Sequence, residues 1–495
     1  MKKKRLIALA SAAAMLPGAG LLMTSCNDRA NYDLTIAFLS GGRGETYVQA
    51  LVDAFEETTW GQAYLAENEK EALDVNIISG GGGVIEDSVL NAINSDNTPD
   101  VMFLNYNMQN STTEAFVRAR QLVDLTDLLE ENVYGEDTTL GDKLVPGLLS
   151  NYTTQPYGDG HTYTLPAFYS PTGLWYDASR FYDDGKGDEY TEVGTGENAG
   201  KYELPRTWAE FWALGDYLNT QNGNLANVTG NTPALFTYPT AGYFDGFIYS
   251  AVAGMAGTDK FMQMLGYAEG IWEDEDVQDA LEIVVRLKDY LEPSTVAQAN
   301  TDGFQQNQQA VIGSPDGTTK GTALFVPNGD WLPGEMANST PEGYEWGFMP
   351  LPSKDNDTMS YVNTYLENVY IHRNGGNTDL AKQFLLFYFS DEGAAIVAEE
   401  SSAIIPTQDA LANAAENGIA ESTIALYDAY DGNGAVSGSF VATDTVTGVI
   451  WNDVLYNDLN TRVFGATSGT TAELLAAWTQ RLVSASDQLR AAIIS

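Results

Sequence analysis

"DLTIAFLSGGRGETYVQALVDAFEETT", residues 33–59, joins two different hydrophobic periods through a glycine-rich turn. DLTIAFLS (33–40) is short and apolar at successive positions, the pattern of a strand buried on both faces. ETYVQALVDAFEETT (45–59) then sets Val48, Leu51, Val52 and Phe55 on one side of a helix. The alternation continues downstream. LDVNIISGGGG (73–83) predicts a second strand running into glycines. VIEDSVLNAINSD (84–96) predicts a helix with Ile85, Val89 and Ile93 in register, and PDVMFL (99–104) a third strand. Strand, helix, strand, helix, strand implies parallel pairing with helical crossovers, an α/β fold. Ligands on such sheets gather beyond the carboxyl ends of the strands, here Gly41–Glu45, Gly80–Gly83 and Asn105–Asn107.

Three later segments also read as helices. LPRTWAEFWALGDYL (204–218) opens on a capping box formed by Thr207 and Glu210. NTDLAKQFLLFYFSDEGAAIVAEE (377–400) carries Ala381, Phe384, Leu385 and Tyr388 at helical spacing, and Thr470 with Glu473 caps LLAAWTQRLVSASDQL (474–489). Between them DDGKGDEYTEVGTGENAGKYE (183–203) is rich in glycine and acid, and is expected to be an exposed insertion.

The amino terminus has another logic. Lys2, Lys3, Lys4 and Arg5 precede an alanine-rich apolar run, Leu6–Met23, broken by Pro17 and Gly18. That is the layout of an export signal; an uncleaved spanning helix is the rival reading. Its end, Thr24-Ser25-Cys26, resembles the lipobox of bacterial lipoproteins, with Met23 where leucine is usual. The resemblance implies a lipoprotein signal peptide over 1–25, a diacylglycerol on Cys26, a tether over 26–32 and a place on the outer face of the cytoplasmic membrane. Cys26 is the only cysteine, so no disulfide can form within the chain, and the fold must rest on its core.

Charge narrows the partners. The 495-residue chain carries −44, and losing Lys2–Lys4 and Arg5 with the signal would take it to −48. Such a surface repels nucleic acid and anionic lipid and suits a neutral or cationic small solute. The two histidines, His161 and His372, lie far apart with no cysteine beside them, so no metal site is expected. Gly-x-Ser-x-Gly is missing, and no Lys-Ser or Lys-Thr follows Gly80–Gly83. No cofactor is expected either.

Several segments, in one order, give these elements a family. NSDNTPDVMFLNYN (94–107), DGHTYTLPAFYSPTGLWYD (159–177), ELPRTWAEF (203–211), PNGDW (327–331), WGFMPLPS (346–353) and NTDLAKQFLLFYFSDEG (377–393) together resemble the extracellular solute-binding proteins of carbohydrate ABC importers, the maltose-binding-protein-like family. The resemblance implies a two-lobed periplasmic-binding-protein-like fold with hinge crossings and an interlobe cleft. By it the chain crosses near Pro166–Pro171, Leu366–Gly375 and Ile405–Leu411. The N-terminal lobe then comprises 33–167 and 373–407, and the C-terminal lobe 168–372 and 408–495. The implied function is capture of a sugar or oligosaccharide by a monomer, without catalysis, and its presentation to membrane permease subunits.

A neutral sugar offers apolar C–H faces to aromatic rings and a hydroxyl rim to directed donors and acceptors. On the resemblance, Trp331 is the stacking tryptophan of an Asn-Gly-x-Trp turn, with Asn328 and Asp330 beside it. Trp451, in GVIWNDV, is a second plate, and Tyr243, in GYFDGF, a ring from the second lobe with Phe244 and Asp245 as neighbours. Arg43 aligns with a basic hydroxyl binder once one inserted residue is allowed. Asn107 falls where the family has a carboxylate, and Tyr169 with Ser170 where a relative has glutamate. Leu104 replaces a stacking tryptophan. Glu367, on the second crossing, is a hydroxyl acceptor or an ordinary hinge carboxylate. Trp60, Trp208, Trp212, Trp272, Trp346 and Trp478 read as packing residues, and Trp175 stays open between packing and site. Two other functions compete. A surface glycoside hydrolase would need one carboxylate pair among 68 acids, and the same scaffold could hold a cationic non-sugar solute.

Overall fold

The computed structural model describes residues 32–105, 112–144, 161–168, 170–183, 194, 196–301, 303–364, 367–401, 403–408, 410, 434–436 and 453–494. Its strands are β1 (Leu34–Leu39), β2 (Val75–Gly80), β3 (Val101–Asn105), β4 (Leu165–Pro166), β5 (Pro171–Asp177), β6 (Phe181–Tyr182), β7 (Tyr202–Glu203), β8 (Ala234–Phe236), β9 (Ala323–Gly329), β10 (Trp346–Met349), β11 (Tyr361–Thr364), β12 (Glu367–Ile371) and β13 (Gly434–Val436).

β1 is as apolar as it is because it is covered twice. Leu34, Ile36 and Phe38 enter one core together with Tyr47, Val48, Leu51, Val52 and Phe55 of the helix Thr46–Glu57. Ala37 points the other way, to Ile85 and Val89 of the helix Gly82–Asn94. Phe55 is fully buried, and a ring so placed contributes roughly 1.5–3 kcal/mol over an exposed one. β1 pairs in parallel with β2 and β3, Ile36 standing opposite both Ile77 and Val101. The first sheet runs β2-β1-β3-β12-β4, with β12 antiparallel to both neighbours.

A second sheet runs β13-β11-β5-β9-β8, and β10 lies against the carboxyl-terminal half of β5. Here too successive side chains part. Leu174 and Tyr176 of β5 enter a core with Phe211, Phe236, Phe325 and Trp272, whereas Trp175 packs on the opposite face with Val326 and Leu332. Two sheets, each buried on both faces by helices, make this a two-lobed mixed α/β fold.

The strands fix where the chain passes between sheets. It leaves the first sheet after β4 and enters the second at β5, so residues 167–170 cross. The return falls between Thr364, the last residue of β11, and Glu367, the first of β12, because Glu367–Ile371 already pairs with β3, Val369 opposite Phe103. β12 therefore lies in the first sheet ahead of the boundary expected at 372. Its side chains belong there: Val369 and Ile371 join the core of Phe38, and Tyr370 that of Ala37. Further on, Ile405 packs in the first core and Ala410 beside Trp175 in the second.

Two local expectations change. Residues 377–400 form two helices, Thr378–Tyr388 and Asp391–Ser401, parted at Phe389–Ser390. Ser390 Oγ accepts from the Gly393 amide at 3.2 Å, and a Cβ at Gly393 would stand 2.3 Å from the Phe387 carbonyl, so serine and glycine build the break. The end of 183–203 is packed rather than exposed: β7 pairs with β6, and Tyr202 is buried beneath the Arg180 guanidinium. The expected capping boxes form at Thr207–Glu210 and Thr470–Glu473. Trp208 and Trp212 stack at 5.8 Å, Trp272 and Trp478 are buried, and Trp60 packs on Tyr134. Trp175 is also core, its ring edge-on to Trp346 and its Nε1 on the Asn328 carbonyl. Among the described residues, no helix is long and apolar enough to cross a membrane.

Candidate ligand-binding site

β1 ends at Leu39, and Ser40 leads into a single 3-10 turn, Gly41–Arg43. Gly41 and Gly44 flank Arg43 at φ +43° and +76°, a backbone that other residues adopt at a cost. Gly42 is needed for a different reason. A Cβ there would stand 2.9 Å from both the Cβ and the carbonyl oxygen of Trp331, so the first sheet's loop lies directly on the turn that follows β9.

That contact aims Arg43 into a buried ionic cluster. Nη1 donates to Asp330 Oδ2 at 2.9 Å and Nη2 to Glu367 Oε1 at 2.8 Å. Nη2 also meets the Ser170 hydroxyl, and the guanidinium carbon lies 4.5 Å over the Phe168 ring. The arginine side chain is 6% exposed, Asp330's 2% and Glu367's 14%. Burial works against the charge of Arg43, but Asp330 and Glu367 more than offset it and hold the guanidinium well above its usual pKa. Ser170 and Glu367 stand at the passages between sheets, Arg43 on the first sheet's loop and Asp330 after the second sheet's β9. One side chain thus ties both sheets to the connection between them.

Asp330 has its aromatic neighbour next to it. Trp331 turns its indole back over Gly329, where a Cβ would meet the ring at 2.2 Å, which explains the glycine of the Asn-Gly-x-Trp turn. Its Nε1 donates to the Tyr243 hydroxyl at 3.4 Å, and the two rings lie 6.4 Å apart at 50°. Both rings are half-buried. Burial, with help from Glu335 and Asp245, pushes the Tyr243 phenol far up, so it stays protonated. Asn328 is buried beside it, holding its own strand end through Oδ1 and the Gly329 amide. Glu335 accepts from Gln308 at 2.8 Å, and burial raises its carboxyl too.

Six expected site residues, Arg43, Tyr243, Asn328, Asp330, Trp331 and Glu367, therefore meet around one junction. Their roles shift: Arg43, Asp330 and Glu367 satisfy one another rather than standing open. Phe244, named as a neighbour of Tyr243, is core, packed on Tyr238 and Phe464. Leu104 is core as well, with Met102 and Phe116. Asn107, Tyr169, Trp451 and Cys26 lie outside the described residues.

Sequence reasoning passed over three contributors. Phe168, under the guanidinium, carries no local signal beyond its place in LPAFYS. Glu335 could have been found from spacing, since it lies one helical turn after Trp331 and its amide donates to the Trp331 carbonyl at 2.9 Å. Tyr47 was not singled out; it is fully buried, its hydroxyl has no partner among the described residues, and it feels the charges of Glu367 and Arg43.

Chemically, the junction offers two adjoining aromatic faces, a phenol and amides for hydroxyl groups, and a surplus of carboxylates around one fixed cation. Such a surface holds a polar solute and orients it. Residues 45–395 match the sequence profile of the bacterial extracellular solute-binding proteins. No curated protein matches the chain significantly. Members of this family bind solutes rather than transform them, and they serve ABC permeases outside the cytoplasm. With 351 of 495 residues matched and a two-lobed fold around a solute-ready junction, the chain belongs to the bacterial extracellular solute-binding proteins of the maltose-binding-protein-like type and serves ABC import as a substrate-binding component.

Proposed function

We propose that the protein captures a sugar or oligosaccharide between its lobes and presents it to the membrane permease, held at the membrane through a lipid on Cys26. One observation supports this above the others. Trp331 and Tyr243 form a half-buried aromatic pair at the junction of the sheets, with Asn328 buried beside them and the Arg43–Asp330 ion pair adjoining. Rings suit the C–H faces of a pyranose, and the polar groups suit its hydroxyls. The passages between β4 and β5, between β11 and β12, and between Ile405 and Ala410 serve as hinges between a first lobe around β1 and a second around β9. Closure follows because solute contacting both lobes favours the closed state over the open one.

The test is a thermal-shift screen of mono- and oligosaccharides on the chain lacking residues 1–26. A carbohydrate ligand raises the melting temperature in step with its occupancy. Chromatography of the recovered sugar must return it intact. Absence of any shift across the sugar set refutes the carbohydrate reading, and shortened products refute a purely binding role.

A further inference from the structure

We propose that the solute is an amino sugar with a free ammonium group, seated on the acidic side of Tyr243 where Asp245 and Glu335 face it. The inference rests on the sugar reading above and adds the charge of the ligand. Four carboxylates, Asp245, Asp330, Glu335 and Glu367, belong to the junction, and Arg43 is the cation that two of them share. Arg43 is committed: it holds Asp330 and Glu367 at 2.9 and 2.8 Å.

Among the described residues, neither of the other two acids is paired with a cation. Asp245 opens the helix Phe244–Ala256, and its carboxylate takes only the amide of the adjacent Gly246. Glu335 takes the side-chain amide of Gln308. Both acids act electrostatically on Tyr243, the phenol that Trp331 touches, and Glu335 lies one helical turn after Trp331, its amide on the Trp331 carbonyl at 2.9 Å.

A second observation comes from the amides rather than the acids. Gln308 is 1% exposed and spends its NH2 on Glu335, which leaves Oε1 buried without a donor. Flipping the amide would set oxygen against carboxylate, so the orphan is an acceptor by necessity. An unsatisfied buried acceptor beside the uncompensated Glu335, with Asp245 two residues from Tyr243, calls for a donor-rich cation, and an ammonium brings three N–H groups and the missing charge. The neighbouring Tyr243 and Trp331 faces favour a cation as well as a sugar ring. Burial raises Asp245 to about 7 and raises Glu335, the response of acids that lack a counter-ion.

Titration calorimetry at pH 7 on the chain lacking residues 1–26 separates the possibilities, with glucosamine oligomers, their N-acetylated counterparts, glucose oligomers and spermidine as probes. The expected result is binding of the free-amine oligomers at least tenfold tighter than the acetylated and neutral ones. Asp245→Asn and Glu335→Gln, each checked for an unchanged far-UV spectrum, should collapse that ratio towards one. Equal affinity for free-amine and acetylated oligomers overturns the ammonium inference while leaving the sugar reading intact. Binding of spermidine without any sugar overturns both. A tenfold ratio that survives in both variants places the ammonium elsewhere and overturns the proposed seat.

Discussion

Arg43→Met isolates the charge cluster from the rest of the junction. Methionine keeps most of the aliphatic stem and removes the guanidinium, together with its contact over the Phe168 ring. It then leaves Asp330, with a side chain 2% exposed, and Glu367, 14% exposed, without their cation. Breaking a buried ion pair from one side costs about 3–5 kcal/mol, because the remaining charge is desolvated and unpaired. An unfolding entropy of about 2.1 cal/mol/K per residue converts this, over a unit spanning Tyr32–Ser495, to roughly 1 °C per kcal/mol. Calorimetry should therefore find the melting temperature lowered by about 3–5 °C. Asp330→Asn in the same background removes one orphaned charge and should recover part of the loss, giving a coupling energy of about 1–3 kcal/mol. Arg43→Lys should also be destabilised, since one ammonium cannot reproduce the forked contact with two carboxylates. A melting temperature for Arg43→Met within 1 °C of the parent, or strictly additive single variants, would refute the view that Arg43 joins the sheets through a buried pair.

Other outcomes follow from the same geometry. Trp331→Ala should fold normally, because the ring is only half-buried, and should weaken carbohydrate binding by more than about 1 kcal/mol; unchanged affinity by calorimetry would remove it from the site. Burial lowers His372 to about 4, so between pH 4 and its ordinary value of 6.5 the unfolded chain binds the proton that the folded chain refuses. Stability should accordingly be lost as pH falls through that window, by about 3 kcal/mol in all, and the imidazole resonances of His372 should titrate near 4; a midpoint near 6.5 contradicts this. Cys26→Ser should release the protein from membranes into the soluble fraction, whereas continued retention would point to an uncleaved amino-terminal helix.

The alternating strands and helices of 33–104 were legible because each carries its own period: β1 needs apolar residues on both faces, and the helix after it needs Val48, Leu51, Val52 and Phe55 on one. Capping boxes at Thr207 and Thr470 were legible for a like reason, since cap and partner lie three residues apart. Breaks that depend on distant surroundings were not. Nothing local says that Gly393 must press on the Phe387 carbonyl, or that Tyr202 packs under Arg180. The site divides the same way. Trp331, Asn328 and Asp330 share one turn and could be named together, and Glu335 lies within a helical turn of them, but Gln308 entered only through the fold.

By itself, the sequence determined which segments are strands and helices, that no disulfide holds them, and which side chains could meet a sugar. Those are properties of neighbours along the chain. Tertiary structure alone decided that Arg43 spends its charge on Asp330 and Glu367, residues 287 and 324 positions away, while Asp245 and Glu335 pair with no cation among the described residues. Pairing of charges depends on distance and desolvation in space, and neither is written in the spacing of residues.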